Sequence, residues 1–283
     1  MAAVVGMTVR SVSLLWRDRQ GRLSSLKALT FACTLAPGVV VAVRWMAHDL
    51  GARAVTEAMD DTGLWSIRFL LLAFAVSPIK RLANWPRVAG IRRMLGVAAM
   101  CYGLTHLLLY ALDQNLHLGV VISEIVQRLY LTFGFVALVG LAVLGGTSTD
   151  AWIRRLGRNW KRLHLAVYVV IPLACLHFFM WSKVVSSEAV LVAGRFLWLV
   201  AWRALPRDKQ DNLAVMVALA PVIAAATVMG EFAWYHFVTS IRAERVLLAN
   251  LDVSGGFSPG VWVALLSLGV AALVGLRKAL SYR

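Results

Sequence analysis

The chain has 283 residues, of which 60% are hydrophobic and 15% are charged, and its mean hydropathy is +0.74. This composition lies far from soluble averages and excludes a water-soluble domain. A net charge of +15 would suggest nucleic acid in a soluble protein, but here the basic residues lie in short clusters between apolar runs. That pattern is typical of a polytopic membrane protein in contact with anionic membrane lipids, and we expect no nucleic-acid partner.

Apolar runs of helix length predict an all-α polytopic membrane protein with eight transmembrane segments. In chain order the predicted spans are 26–46, 64–77, 94–112, 129–146, 160–183, 189–202, 213–238 and 261–276. Basic residues precede the first span, and basic loops follow the second, fourth and sixth spans. By the positive-inside rule, both termini are expected in the cytoplasm.

The fifth predicted span, WKRLHLAVYVVIPLACLHFFMWSK, carries two histidines, His164 and His177. They are thirteen positions apart, which is about 20 Å along a helix axis. Imidazoles at membrane depth are costly to bury and are therefore candidates for a functional site. Thirteen residues also rotate a helix by about 220°, which puts the rings on different faces of a straight helix. Because Pro172 removes a helix hydrogen bond, we predict a bend or rewinding near 169–172.

His106 supplies a partner for one of these histidines. The third and fifth spans are predicted to cross in the same direction, so that His106 and His177 reach a similar level in the outer half of the membrane. Two imidazoles at one depth on separate helices are what axial ligation of a b-type heme requires. His164 lies near the inner face, where Arg92 and Arg93 occupy the matching level. Helix-to-helix hydrogen bonding, proton relay and metal transport are the alternatives to heme.

Three arginines are candidates for pairing with heme propionates. Arg68 and Arg44 lie near the outer face and Arg92 near the inner face, although snorkelling to lipid headgroups explains such residues equally well. In the seventh span, Glu231 and His236 could serve a proton path or a docking surface. For these two residues we favour packing at the membrane interface.

Three sequence blocks resemble the MsrQ/YedZ family, the heme-binding membrane subunits of the periplasmic methionine sulfoxide reductase system, within the ferric-reductase-like group. They are residues 63–81, 91–113 and 128–183, and the last contains a LGxxWxxLHxxxY pattern with a second histidine thirteen residues on. The resemblance covers roughly residues 15–204 and implies that His106, His164 and His177 are the heme ligands. The chain departs from the family at Leu129, which interrupts an Arg-Pro-Tyr run, and in the two spans after residue 204.

The charge pattern predicts a cytoplasmic segment (1–25), the resemblance implies a ferric-reductase-like six-helix bundle (26–204), and hydropathy predicts a C-terminal extension with two further transmembrane helices (205–283). It also implies electron transfer through one or two b hemes across the bacterial inner membrane. The donor would be the quinone pool or a cytoplasmic flavin reductase, and the acceptor a periplasmic molybdopterin methionine sulfoxide reductase.

The residues themselves support only the electron-carrier part of this function. We find no GxGxxG motif and no soluble domain for a flavin or nicotinamide, so the donor is expected to be a separate protein or a membrane quinone. FMN or a quinone would then be a further cofactor. The alternatives are a ferric-reductase-like carrier that serves another acceptor and a permease or interaction protein without heme.

Overall fold

The computed structural model describes residues 22–182, 187–250, 252 and 256–281. The predicted cytoplasmic segment 1–25 lies almost entirely outside this part of the chain. The helices are α1 (Ser25–Met46), α2 (Ala54–Leu82), α3 (Arg92–Asp113), α4 (Leu118–Gln127), α5 (Leu129–Gly146), α6 (Asp150–Leu156), α7 (Arg158–His164), α8 (Val167–Ser182), α9 (Ser187–Ala204), α10 (Leu213–Val238), α11 (Ala243–Ala249) and α12 (Pro259–Ser281). A 3₁₀ segment, Pro86–Ile91, leads into α3.

Seven segments of the described chain are long and apolar enough to cross a membrane, and α7 and α8 together form one of them. The sixth predicted span forms α9, which is not among the seven and which carries Glu188, Arg195 and Arg203. α9 nevertheless lies inside the bundle, since it packs against α2, α8, α10 and α12 and buries Trp198 and Trp202. The predicted all-helical membrane fold is confirmed, whereas eight crossings and cytoplasmic termini stay predictions.

α2 is the central helix of the bundle. In its most apolar window 56% of the residues are buried, against 17–28% in the other six segments. The predicted span 64–77 is too short, because α2 has 29 residues and continues through Pro78 to Leu82. Pro78 has no N–H to bond the carbonyl oxygen of Phe74, and Arg203 of α9 donates to that oxygen instead. The arginine therefore satisfies a polar group that the proline leaves free.

The fifth span is interrupted upstream of the predicted position. α7 ends at His164 and α8 begins at Val167, and the turn between them is closed by backbone hydrogen bonds to the third preceding residue. In one of these bonds Ala166 N–H donates to the carbonyl oxygen of Leu163 at 3.0 Å. Pro172 itself lies within α8. The predicted rewinding is thus present, but not at 169–172.

This turn directs both histidines of the span towards α5. His177 Nδ1 lies 2.8 Å from the carbonyl oxygen of Tyr130, in the first turn of α5. His164 Nε2 lies 3.4 Å from Oγ of Ser148, just after the last residue of α5. The two rings therefore approach one neighbouring helix at its opposite ends. In a straight helix, thirteen residues would rotate the second ring by about 220° and place it on a different face.

The connection between the third and fourth predicted spans contains a helix, α4, that lies outside every predicted span. α4 exposes an apolar stripe at every fourth residue: Leu118, Ile122 and Val126 are 63%, 63% and 74% exposed. Residues at this spacing lie on one helix face. An exposed apolar face on a short helix beside transmembrane segments is typical of a helix lying in the membrane interface.

Candidate functional site: a paired-histidine cavity

A cavity of about 380 Å³ lies between α2, α3, α5 and α8, with both His106 and His177 in its wall. This volume falls in the range of cofactor and ligand pockets. On α2 the lining extends from Met59 to Leu70, which is about 16 Å of helix axis. Carboxylates lie at one end of the cavity, and its walls are otherwise mainly apolar.

The rings of His106, on α3, and His177, on α8, face each other across this cavity. Their centroids are 6.1 Å apart and their planes make an angle of 80°. Two imidazoles that bind one metal atom from opposite sides have centroids about 6 Å apart, from metal–nitrogen bonds of about 2 Å and a further 1 Å or so to each ring centre. The observed spacing therefore leaves room for a single metal atom between the rings.

Both rings are fixed in the same tautomer by backbone carbonyl groups. His106 Nδ1 lies 2.8 Å from the carbonyl oxygen of Met59, and His177 Nδ1 lies 2.8 Å from that of Tyr130. A carbonyl oxygen can only accept, so each Nδ1 carries the proton and each Nε2 keeps its lone pair. Metal-binding histidines typically donate their second N–H in this way. Each Nε2 is therefore prepared to act as a metal ligand.

Two glycines make room for the imidazoles. A Cβ atom on Gly63 of α2 would lie 2.8 Å from Nδ1 of His106, and one on Gly134 of α5 would lie 2.6 Å from Nδ1 of His177. Small residues in membrane helices allow such close approach. Sequence reasoning missed both glycines, because a glycine within an apolar span does not reveal which neighbour needs the space.

The donor set fits a heme better than a bare metal ion. Within the residues that the structure describes, no group of three His, Cys, Asp or Glu side chains is placed to hold a metal ion. Protein sites for bare zinc have three or four protein ligands. Two opposed imidazoles suit a metal whose remaining ligands come from a macrocycle, as in heme.

His164 lies outside this cavity. Its Nδ1 is 3.0 Å from the carbonyl oxygen of Trp160, and its ring stacks on the indole of the same residue at 3.9 Å. All six histidines belong to the described residues, and none of the other five makes a ring contact with His164. Arg92 is exposed and donates to Oγ of Ser77. In the described part of the chain, the end of the bundle that is predicted to face the cytoplasm therefore has one imidazole and no matching partner.

Arg44 and Arg68 lie at the carboxylate end of the cavity, each already in an ion pair. Arg68 Nη2 is 3.2 Å from Oε1 of Glu188, and Arg44 Nη1 is 3.1 Å from Oδ2 of Asp61. Glu188, Asp61 and Asp60 all line the cavity. These carboxylates could not be recognised from any single span, and they pair with both arginines, which are therefore not free cations.

A chain of polar contacts connects His177 to α4. Glu124 accepts from the Tyr110 hydroxyl, and its other carboxylate oxygen lies 2.7 Å from Arg128. Arg128 contacts the Tyr130 hydroxyl at 3.4 Å, and the Tyr130 ring stacks on His177 at 6.1 Å. Leu129, where the chain departs from the family pattern, therefore lies between two members of this contact chain, Arg128 and Tyr130.

Comparison with known proteins identifies the family of the chain. Residues 62–175 match the family described as "Ferric reductase like transmembrane component". A relative from Xanthomonas oryzae pv. oryzae is 39% identical over 185 residues, which are 63% of this chain and 85% of the relative. Another, from Azospira oryzae, is 35% identical over 195 residues, 68% of this chain and 83% of the relative. Both are named protein-methionine-sulfoxide reductase heme-binding subunit MsrQ. The chain belongs to the MsrQ family.

A third MsrQ relative, from Xanthomonas campestris pv. campestris, is 42% identical over 159 residues, 56% of this chain and 73% of the relative. No solved structure matches the chain. The resemblance that the motifs indicate is thus confirmed. Together with the seven apolar segments, it makes this MsrQ member a multi-pass protein of the bacterial inner membrane.

Proposed function

We propose that the chain is the heme-binding membrane subunit of a methionine sulfoxide reductase system, with His106 and His177 as the axial ligands of a b-type heme. One observation carries this assignment. The two imidazoles stand 6.1 Å apart across a cavity, and each Nδ1 is held by a carbonyl oxygen so that each Nε2 keeps its lone pair. The names of the relatives supply the same cofactor.

The bound heme iron would supply one-electron chemistry. The protein's own groups would orient and tune it. The carbonyl oxygens of Met59 and Tyr130 fix the two rings, and hydrogen bonding of this kind raises the basicity of the ligating nitrogens. Arg44 and Arg68 stay candidate partners of the heme propionates, and their ion pairs offset the charge of the cavity carboxylates.

His164 is kept as a candidate ligand for a second heme at the inner end, with Arg92 as a candidate partner for its propionates. Only the family resemblance supports this second site. With one protein imidazole, such a heme would be more weakly held than one bound by the outer pair.

For the electron path we propose a donor on the inner side, either the quinone pool or a cytoplasmic flavin reductase. The acceptor would be a periplasmic molybdopterin methionine sulfoxide reductase. The positive-inside pattern supports this orientation, because it predicts that His106 and His177 lie in the outer half of the membrane. An outer heme would thereby lie close to a periplasmic partner.

The test is reconstitution of the purified chain with heme, a reductant for the heme and the catalytic subunit of a methionine sulfoxide reductase. We expect a low-spin b-type spectrum and oxidation of the reduced heme that depends on both the catalytic subunit and methionine sulfoxide. A chain that binds no heme would contradict the whole assignment. Heme that is oxidised by other acceptors but not by this pair would contradict only the partner.

A further inference from the structure

Two arginines from different helices, Arg92 and Arg203, lie together on the last turns of α2. Arg203, near the end of α9, donates to the carbonyl oxygen of Phe74. Arg92, the first residue of α3, donates to Oγ of Ser77. Phe74 and Ser77 are three positions apart and therefore lie on one face of α2. The two guanidinium groups thus meet at one stretch of helix, close enough for their charges to repel each other.

No carboxylate in the described part of the chain compensates for these two charges. The ion pairs found there involve neither Arg92 nor Arg203, whereas the neighbouring Arg93 pairs with Asp150 at 2.6 Å. Charged side chains within a membrane protein are costly to desolvate and usually pair with an opposite charge. The two arginines therefore form a local excess of positive charge, which an anion bound by both would offset.

Both guanidinium groups keep N–H donors for such an anion. A guanidinium group has five N–H donors. Arg203 directs part of them to the carbonyl oxygens of Leu199 and Phe74, and Arg92 directs one nitrogen to a hydroxyl group. The Arg203 guanidinium also lies over the Phe74 ring, 3.7 Å from its centroid, so that its orientation is set before any ligand binds. A planar donor fork held in this way is well suited to a phosphate group.

An exposed apolar surface begins beside the two arginines. Tyr168 of α8 packs edge-to-face against Phe74, the ring that contacts Arg203, with centroids 5.2 Å apart. Leu165 and Val169, on either side of Tyr168 in the chain, are each 60% exposed. Hydrocarbon chains could lie along these residues while a phosphate group reaches the arginines. A soluble anion would make no use of this surface.

We propose that Arg92 and Arg203 together bind the phosphodiester group of an anionic membrane lipid whose headgroup carries no cation. The oxygens of one phosphate can accept from both guanidinium groups. The charge pattern predicts that this end of the bundle faces the cytoplasm, where basic pockets between transmembrane helices bind anionic headgroups. A zwitterionic lipid fits less well, because the two arginines would repel its ammonium group. The bound lipid would connect α3 to α9 across the end of α2.

Binding is measured by native mass spectrometry of the purified chain during titration with phosphatidylglycerol. The wild type should bind one molecule more tightly than any further ones. Arg92→Gln should weaken this binding about tenfold, the effect of one hydrogen bond to a charged group, and Arg203→Gln should weaken it similarly. Arg155→Gln is the matched control, because it removes the same charge from α6, where Arg155 lies over the ring of Trp152 at 5.0 Å. It should bind the lipid as the wild type does.

Equal affinity for phosphatidylglycerol in Arg92→Gln and wild type would overturn the proposal. Equal affinity of the wild type for phosphatidylcholine would also overturn it, as would displacement of the lipid by inorganic phosphate at the same concentration. If Arg203→Gln does not fold, because Arg203 also satisfies the carbonyl group of Phe74, the exposed Arg92 decides alone.

A propionate of a second heme is the competing occupant of this arginine pair. Heme content is therefore measured on the same samples, and His164→Ala, which lacks the imidazole at this end, should still bind phosphatidylglycerol as the wild type does. Loss of heme from Arg92→Gln with unchanged lipid binding would assign the pair to heme and overturn the lipid site.

Discussion

The two ends of the bundle, which the charge pattern predicts to be the outer and the inner end, both contain a histidine of the fifth span, and they differ in what surrounds it. At the outer end, His177 faces His106 at 6.1 Å, and carbonyl oxygens hold both rings. At the inner end, His164 stacks on Trp160 and has no second imidazole. The two histidines look alike in the sequence, yet within the described residues only His177 lies opposite a second imidazole in a cavity.

This difference shows that the partner helices, more than the histidine-bearing helix, define a site. At the outer end α3 provides the second imidazole, and glycines of α2 and α5 provide the space. The turn at Leu165–Ala166 directs both rings of the fifth span to α5. His177 meets the carbonyl oxygen of Tyr130 in its first turn, and His164 meets the hydroxyl of Ser148 beyond its last turn. The predictions below are arranged to test this asymmetry.

The largest effect is expected from removing one member of the outer pair. His106→Ala or His177→Ala should lower heme occupancy of the outer site by more than about tenfold, because losing a residue that only hydrogen-bonds a metal ligand already costs about 10–100-fold in metal affinity. His236→Ala, at an exposed histidine of α10, should retain full occupancy. The measurement is the pyridine hemochrome content per chain in a His164→Ala background, where a second heme does not contribute, and an unchanged content in both outer variants would refute the pairing.

A smaller but clear effect is expected at Gly134. A Cβ there would lie 2.6 Å from His177 Nδ1, so Gly134→Ala should displace the ring and weaken heme binding by about 1–3 kcal/mol, as in other overpacked sites. Gly146→Ala on the same helix is the matched control, because a Cβ there meets nothing within 4 Å. Equal heme retention by the two variants in a heme-transfer assay would contradict the role given to Gly134.

The ion pair at the cavity end should tune the heme rather than hold it. Arg68→Gln removes a cation and should lower the midpoint potential, whereas Glu188→Gln removes an anion and should raise it. A charge about 10 Å away in a medium of effective dielectric constant near 20 contributes about 1–2 kcal/mol, or tens of millivolts. Redox titration measures both shifts, and shifts of the same sign would argue against a direct electrostatic effect.

The smallest effect is expected at the inner end. Arg92→Gln should leave the low-spin signal of the outer site unchanged, since Arg92 contacts Ser77 and does not line the cavity. His164→Ala should likewise preserve that signal, whatever happens to a second heme. Disappearance of the outer signal in either variant, seen by optical spectroscopy, would show that the two ends are not independent.

Hydropathy and charge were sufficient to predict the helical membrane fold and the similar depth of His106 and His177, because both follow from composition and local sequence. The extension of α2 back to Ala54 was not predictable in this way. Its polar first turns are stabilised by contacts such as that between Arg44 and Asp61, 17 positions apart. The glycines at the rings and the carboxylates at the cavity end also depend on tertiary contacts, which no single span reveals.

Electron paramagnetic resonance of the oxidised, heme-loaded protein tests the central claim most directly. Because the planes of His106 and His177 stand at 80° to each other, ligation by this pair should give a highly anisotropic low-spin signal, as perpendicular axial imidazoles do. The signal should persist in His164→Ala. A protein that shows only high-spin heme, or a low-spin signal that survives His106→Ala, would contradict the assignment.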